Sequence, residues 1–390
     1  MPAQRASGSI SDREILDLVE AVMKGFGPAY WRELDRERAY PAAFVRAMTE
    51  AGVLSVLIPE AYGGGGQGIS VAARILREVH RLGGNAAACH AQMYTMGTLL
   101  RHGSEEQRRR FLPEIARGAL RLQAFGVTEP GAGTDTASIR TTARRDGTGY
   151  VINGQKVWTS RAEHSDLMLL LARTGQPGEG RSRTAGLSVF LVDMRAALGH
   201  GLTIRPIRTM MNHATTEVFF EDLRVPAENL VGEEGNGFRY LLDGLNAERI
   251  LIAAECVGDG RWFVEKAAAY ARERVVFGRP IGQNQGVQFP IVRAHVAVEC
   301  AEMALAAACR MYDSGEPCGP QANMAKLVAS EASWQAADMC LQTHGGFGFA
   351  EEFDIERKFR ETRLYQVAPI STNLILSYLG EHVLGLPRSY

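Results

Sequence analysis

The sequence lacks several features that would assign it at once to a class of protein. Its six cysteines include no Cys-x-x-Cys pair, so we expect reduced core residues and neither a disulfide framework nor a metal site. No apolar run approaches the length of a membrane span, and Met1–Asp12 has no apolar signal core. A formal net charge of −1 favours neither nucleic acid nor an anionic membrane as a partner. We therefore expect a bacterial cytoplasmic protein.

Two common nucleotide-binding motifs are also missing from the most distinctive glycine-rich stretch. Ala124–Asp135 reads A-F-G-V-T-E-P-G-A-G-T-D, without the Gly-Lys-Ser/Thr of a P-loop or the glycine spacing of a dinucleotide fingerprint. Gly131 and Gly133 can take positive φ and leave backbone N–H groups open to a ligand. Such a loop suits a phosphate or the polar edge of a flat ring. An ordinary Pro-Gly turn would explain the same residues.

The hydrophobic pattern changes twice along the 390 residues, which predicts three domains. Helical spacing extends from Asp12 to about Leu122 and returns from Gly237 onward. The part between them is rich in strand formers, with turn signals at Asp146-Gly147 and Asn153-Gly154 and a surface loop at Gln176–Ser182. We expect an α+β protein with an N-terminal α-helical domain (1–122), a middle β domain (123–232) and a C-terminal α-helical domain (233–390).

A second stretch, Asn153–Ser160, places an aromatic residue, Trp158, before two hydroxyl residues. By itself this stretch fits equally well a hairpin whose tryptophan packs in the core. Together with Ala124–Asp135, however, it resembles the flavin-binding segments of the acyl-CoA dehydrogenase family, and the resemblance continues along almost the whole chain. The family's fold has an N-terminal helical domain, a middle β-barrel or sandwich, and a C-terminal four-helix bundle. The resemblance implies FAD as cofactor, an acyl-CoA substrate, and an electron-transfer flavoprotein as partner.

The resemblance also implies which residues bind FAD. Two further stretches carry it: Arg274–Gly278 with Asn284-Gln285, and Gln342–Gly348. In the family, the arginine reaches the diphosphate of the neighbouring subunit's FAD and the glycine turn receives the adenine half, which implies a homodimer or homotetramer. The implied FAD-binding residues are Phe125, Val127, Thr128, Gly133, Thr134, Trp158, Thr159, Ser160, Arg274, Phe277, Gln285, Gln342, Gly345, Gly346, Ser371 and Asn373.

The sequence departs from the commonest family pattern at the catalytic base. Many members have a glutamate near the C-terminus where this chain has Pro369, which also lacks the backbone N–H that would polarise the thioester carbonyl. A subgroup resembling isovaleryl- and long-chain acyl-CoA dehydrogenases places its glutamate earlier, at the position of Glu248. Asn246, Arg249 and Thr134 match positions that touch substrate in the family.

The spacing of apolar residues supports Glu248 independently. Leu241, Leu245, Ile252 and Cys256 share a helix face with Glu248 at three- and four-residue steps. A carboxylate on such a face loses hydration, so its pKa rises toward the value that suits a base for a weak carbon acid. A buried structural glutamate paired with an arginine is the alternative. Glu255, two turns further along the same helix, is the reserve candidate for the base.

We therefore predict FAD-dependent α,β-dehydrogenation of an acyl-CoA to a trans-2-enoyl-CoA, with electrons passed to an electron-transfer flavoprotein. A flavin oxidase or monooxygenase on the same fold, and a catalytically silent flavin- or CoA-binding homologue, are the two alternatives. Cys89, His90, Met93 and Tyr94 lie on the helix that lines the acyl tail in the family. The polar residues among them favour a short, branched or polar-substituted acyl group.

Overall fold

The computed structural model describes residues 12–176 and 182–388, so most of the loop predicted at Gln176–Ser182 lies outside the described residues. Of the helices in the described chain, none is both long and apolar enough to cross a membrane. The three predicted regions appear in the expected order of helices, strands and helices.

Within residues 12–122, six helices precede the first strand. Helix α6 begins with a capping box, in which the Ser104 side chain accepts from the Gln107 N–H and the Gln107 side chain accepts from the Ser104 N–H. Helix α4 buries one apolar face, which includes Ile75 and Leu76. The helices are α1 (Asp12–Met23), α2 (Pro28–Glu37), α3 (Ala42–Glu50), α4 (Ile69–Arg81), α5 (Ala87–His102) and α6 (Glu105–Ala116).

The β domain forms an eight-stranded sheet in the described residues, with strand order β6-β7-β3-β2-β4-β5-β8 and β1 parallel to β4. Two continuous apolar runs in the sequence form β4 and β5, which are buried on both faces. The strands are β1 (Leu122–Gly126), β2 (Thr142–Asp146), β3 (Gly149–Ser160), β4 (Leu167–Arg173), β5 (Leu187–Asp193), β6 (Leu202–Pro206), β7 (Thr215–Pro226) and β8 (Leu230–Val231), with a short helix α7 (Met194–Ala197) after β5.

The C-terminal domain is helical, as predicted, and consists of three long helices and two shorter ones. They are α8 (Gly237–Glu273), α9 (Gln285–Asp313), α10 (Gly319–His344), α11 (Ile355–Arg363) and α12 (Thr372–His382), and a small hairpin of β9 (Val275–Val276) and β10 (Arg279–Pro280) separates α8 from α9. The sequence pattern predicted one buried face on α8. That description is too narrow, because α4, α5, α9 and α10 all pack against α8 and bury most of its circumference.

One hydrophobic core is shared by the two helical domains. It contains residues of α1, α3, α4 and α5 together with residues of α8, α9 and α10. A second core joins α5 and α6 to strands β1, β4 and β5, and a third lies within the β domain. Helix α5 contributes to the first two cores, and α5 therefore connects the helical domains to the sheet at the place where the predicted site residues lie.

Candidate active site

Glu248 is buried in the middle of the protein, as its apolar neighbours along α8 predicted. Its side chain is almost completely inaccessible, and its Oε2 atom has no hydrogen-bond partner. Burial raises the pKa of Glu248 to about 7, with His90, Arg249 and Lys326 opposing the shift. A carboxyl group with this pKa exchanges a proton readily near neutral pH.

An aromatic contact connects Glu248 to the glycine-rich loop. The ring of Tyr94 on α5 packs edge-on against Phe125 of β1, with ring centroids 5.6 Å apart, and against His90 at 5.1 Å. Burial and then the charge of Glu248 raise the pKa of Tyr94, so its hydroxyl stays protonated. We refer to Glu248, His90, Tyr94 and Phe125 as the Glu248 site.

Glu255, the reserve candidate for the base, has a different environment. Its Oε1 atom lies 3.3 Å from His90 Nδ1 and 3.8 Å from His80 Nε2. Burial favours the neutral acid, but His90 and His80 outweigh it and hold the pKa of Glu255 below its ordinary value. The two histidines therefore favour the carboxylate form of Glu255, whereas burial favours the neutral acid at Glu248; both Glu255 oxygens also lack a hydrogen-bond partner.

A buried ion pair fixes the glycine-rich loop to strand β3. Lys156 Nζ donates to Glu129 Oε1 and to the Val127 carbonyl, each at 2.9 Å. Glu129 also accepts from the backbone N–H groups of Arg140 at 2.6 Å and Thr141 at 2.9 Å. Burial lowers the pKa of Lys156 to about 8, with Glu129 opposing the shift.

Sequence reasoning missed the role of Lys156, although a signal was present. The side chains of a strand alternate between its two faces, and in β3 Lys156 has the same parity as the buried residues Tyr150 and Ile152. A lysine on the buried face of a strand requires a partner. Its partner, Glu129, lies in the first flavin-like stretch, so one contact joins the two stretches.

A bulge in β3 determines which side chains of the second flavin-like stretch, Asn153–Ser160, are exposed. The register between β3 and β7 shifts between Lys156 and Thr159, and Trp158 has a φ of 60°. The interpretation that Trp158 packs in a hairpin core is wrong, because its side chain is 58% exposed. Thr159 points the other way and is buried, and its Oγ1 atom has no partner.

The remaining predicted FAD-binding residues are distributed over three places. Phe125, Val127 and Thr128 lie at the end of β1 and are half-buried, and Gly133 and Thr134 are exposed in the loop that follows. Ser371 begins α12, where its hydroxyl accepts from the Leu374 N–H, and Asn373 is exposed on the first turn. A separate exposed group lies around the β9–β10 hairpin and the end of α10, and comprises Arg274, Phe277, Gln285, Gln342, Gly345 and Gly346.

Two of the three predicted substrate residues lie beside Glu248 on α8. Arg249 Nη1 donates to Asn246 Oδ1 at 3.0 Å, and Arg249 Nε is buried without a partner. Thr134, the third, is exposed in the glycine-rich loop. The segment around Pro369 is fixed from α10, because the fully buried Lys326 donates to the Ile370 carbonyl at 2.7 Å. Burial lowers the pKa of Lys326 to about 8.

Comparison with known proteins identifies the family of the chain. The family models for the acyl-CoA dehydrogenase N-terminal, middle and C-terminal domains match residues 10–119, 124–223 and 235–382, respectively. The chain belongs to the acyl-CoA dehydrogenase family. It is therefore an oxidoreductase, and FAD is its cofactor.

Several curated and structural relatives of this acyl-CoA dehydrogenase cover nearly its whole length. Acyl-CoA dehydrogenase FadE12 of Mycobacterium tuberculosis is 35% identical over 95% of both chains. The cyclohex-1-ene-1-carbonyl-CoA dehydrogenase of Syntrophus aciditrophicus is 34% identical over 90% of this chain and 84% of its own. A glutaryl-coenzyme A dehydrogenase bound to glutaryl-CoA superposes with a TM-score of 0.90 at 28% identity, covering 100% of this chain and 98% of the other.

The residues of this acyl-CoA dehydrogenase fit a bound FAD. Gly131 and Gly133 have free space where a Cβ atom would lie, as do Gly345 and Gly346 in the exposed group. Thr159 Oγ1 is a buried hydroxyl oxygen without a partner, and such an atom costs free energy until a ligand or water satisfies it. Trp158, beside it, offers an exposed aromatic plane. Both flavin-like stretches therefore keep polar or aromatic groups free for a ligand.

Proposed function

We propose that this enzyme oxidises an acyl-CoA thioester to the trans-2-enoyl-CoA, with Glu248 as the base. FAD supplies the acceptor for the β-hydrogen, which leaves as hydride. Glu248 removes the α-proton and holds it at its carboxylate. The observation that carries the proposal is the buried, unpartnered Oε2 atom of Glu248 on a carboxyl group with a pKa of about 7.

Neighbouring residues support Glu248 without competing for the proton. Tyr94 stays neutral, and Arg249 favours the carboxylate over the neutral acid, since its charge opposes the rise in the pKa of Glu248. Arg249 is itself positioned by Asn246. Lys326 fixes the segment that contains Pro369 by donating to the Ile370 carbonyl. Pro369 itself lacks the backbone N–H that would polarise the thioester carbonyl. The enzyme would pass its electrons to an electron-transfer flavoprotein.

The direct test is anaerobic mixing of the FAD-loaded enzyme with a panel of acyl-CoAs, followed by flavin absorbance. Bleaching by at least one acyl-CoA and formation of the 2-enoyl product are expected. If no acyl-CoA bleaches the flavin, the protein is a catalytically silent homologue. Rapid reoxidation by oxygen in place of an electron-transfer flavoprotein would identify an oxidase.

The rate of flavin reduction should rise with pH through about 7. Only the ionised carboxylate of Glu248 accepts a proton, and its pKa is about 7 under the combined influence of burial, His90, Arg249 and Lys326. Below that pH the rate constant should fall about tenfold per unit, and above pH 8 it should level off. Stopped-flow reduction from pH 5.5 to 9 measures this, and acyl-CoA affinity over the same range is the control. A flat profile would contradict Glu248 as the base.

We also propose that the enzyme is a homodimer or homotetramer. Helix α9 is apolar on its solvent side as well as its buried side, which is typical of a helix enclosed in an assembly. Phe289, Val292, Val296 and Met303 are all exposed there in the single chain, and Met303 is 71% exposed. Phe277 at the tip of the β9–β10 hairpin is fully exposed. The exposed FAD-binding group beside this hairpin would then complete the cofactor site of a neighbouring subunit.

Val296→Glu should therefore reduce the size of the assembly and its FAD content together. A charge in an apolar interface costs several kcal/mol of association free energy. Size-exclusion chromatography with light scattering and the flavin-to-protein absorbance ratio measure the two effects. Ala43→Glu, on the exposed side of α3, introduces the same charge elsewhere and should change neither. If the Val296→Glu protein forms an assembly of unchanged size, α9 does not lie in a subunit interface.

A further inference from the structure

His90 is a buried side chain with one ring nitrogen close to a carboxylate and the other without a partner. Its Nδ1 atom lies 3.3 Å from Glu255 Oε1. Its Nε2 atom is buried and has no partner, and the whole side chain is only 6% exposed. An unpaired buried polar atom is destabilising unless something occupies its hydrogen-bonding position. The fold therefore leaves one hydrogen-bonding position of a buried imidazole for a ligand.

The carboxylate that holds His90 belongs to a chain of buried charges behind it. Glu255 also contacts His80, whose Nδ1 atom lies 2.8 Å from Asp259 Oδ1. Lys358 forms an ion pair with Asp259 and donates to the Gly84 carbonyl at 2.9 Å. The cluster packs behind the imidazole of His90, although both carboxylate oxygens of Glu255 and Oδ2 of Asp259 are buried without a hydrogen-bond partner.

The free nitrogen of His90 belongs to the Glu248 site. Tyr94, one helical turn after His90 on α5, contacts both the His90 ring and Phe125 of the flavin-like stretch. On α8, Glu248 and Glu255 are seven residues apart, which is about 10.5 Å along the helix axis. His90 contacts both Glu255 and Tyr94, so its ring lies between α8 at Glu255 and the Tyr94 ring that reaches Phe125.

We infer that His90 hydrogen-bonds a hydroxyl group on the acyl chain of the substrate, beyond the carbon that Glu248 deprotonates. The inference rests on the proposed function and makes it more specific. A hydroxyl can donate to or accept from the free nitrogen, so it satisfies the imidazole in either protonation state. A carboxylate there would lie near the carboxyl groups of both Glu248 and Glu255, and an alkyl chain would leave the nitrogen unpaired. The substrate class is a short acyl-CoA with a hydroxyl group on its acyl chain.

The experiment compares pentanoyl-CoA with 4-hydroxypentanoyl-CoA, 5-hydroxypentanoyl-CoA and glutaryl-CoA in anaerobic flavin reduction by the FAD-loaded enzyme. One hydroxylated substrate should exceed pentanoyl-CoA in kcat/KM by at least ~10-fold, since a site built to hydrogen-bond a hydroxyl rejects the analogue that lacks it. His90→Leu should remove that preference and improve pentanoyl-CoA. His90→Gln should keep part of it.

Binding to the Glu248→Gln holoenzyme separates the failure of this inference from the failure of the proposed function. Flavin absorbance perturbation there gives dissociation constants without turnover. If the hydroxylated ligand binds at least ~10-fold more tightly than pentanoyl-CoA but no acyl-CoA is oxidised by the wild-type enzyme, the proposed function fails and the role of His90 stands. Equal kcat/KM for all chains, an unchanged preference in His90→Leu, or a preference for glutaryl-CoA would overturn the inference.

Discussion

Glu248→Gln will stop flavin reduction by acyl-CoA while leaving FAD and acyl-CoA bound. Glutamine keeps the size of the side chain and a carbonyl acceptor, but it cannot take up the α-proton. General-base catalysis contributes on the order of 10²–10⁴ in rate, and for so weak a carbon acid the loss should lie at or above the top of that range. Anaerobic single-turnover reduction measures the rate, and flavin absorbance changes on acyl-CoA addition report binding.

Glu255→Gln is the matched comparison, because it makes the same chemical change two turns along the same helix. Its carboxylate is held by His90 and His80, so this variant should lose orientation of His90 but retain measurable reduction. If Glu248→Gln reduces flavin at the wild-type rate and Glu255→Gln does not, the base is Glu255, two turns further along α8. If neither variant slows, the base is another residue.

The second large effect is expected from Glu129→Gln, which should destabilise the enzyme and release FAD. The substitution leaves Lys156 buried without its carboxylate, and breaking a buried pair in this way typically costs about 3–5 kcal/mol. It also weakens the acceptor for the Arg140 and Thr141 N–H groups that shape the flavin-like loop. Thermal unfolding of the holoenzyme and flavin retained after gel filtration are the two measurements.

The pH dependence of this destabilisation has a definite sign. Burial depresses the pKa of Lys156 from 10.5 to about 8, and loss of Glu129 should depress it further. The charged lysine is therefore unfavourable in the folded variant below pH 8, and the stability gap to wild type should close as pH rises through about 8, because Lys156 is then neutral in both folded proteins. Asp135→Asn, which breaks the exposed pair with Arg183, should cost no more than about 1 kcal/mol at any pH. An equally small effect of Glu129→Gln would show that the loop does not depend on the pair.

The parts of the site that follow from local pattern could be predicted from sequence. Glu248 interrupts an apolar face of α8 at helical spacing, and that local regularity was sufficient to predict its burial. The order of helices and strands followed equally from the change of period near Leu122 and Gly237. The turn predicted at Asp146-Gly147 is confirmed, because it joins β2 to β3. The turn predicted at Asn153-Gly154 is wrong, because these residues lie within β3; the glycine is required there since a Cβ atom on Gly154 would meet Thr141 at 2.5 Å.

The parts that depend on distant partners could not be predicted. His90 and Glu255 are brought together only because α5 packs on α8, and nothing near either residue indicates the other. The same holds for Lys326 and the Ile370 carbonyl, which join α10 to the segment before α12. Apolar periodicity identifies which side of an element is buried, but the identity of a buried polar partner depends on tertiary packing.

The shared core of the two helical domains has a consequence for how the chain can be divided. Helices α4 and α5 precede the β domain in the sequence, and helices α8, α9 and α10 follow it. Residues of all five helices pack into a single cluster. The whole β domain lies between these two groups of helices in the sequence. The contacts that stabilise the helices therefore join residues that are far apart along the chain. A cut near residue 232 would therefore leave neither fragment with a complete interior, even though it falls at a domain boundary. In this chain a boundary between domains is not a boundary between independently folding units.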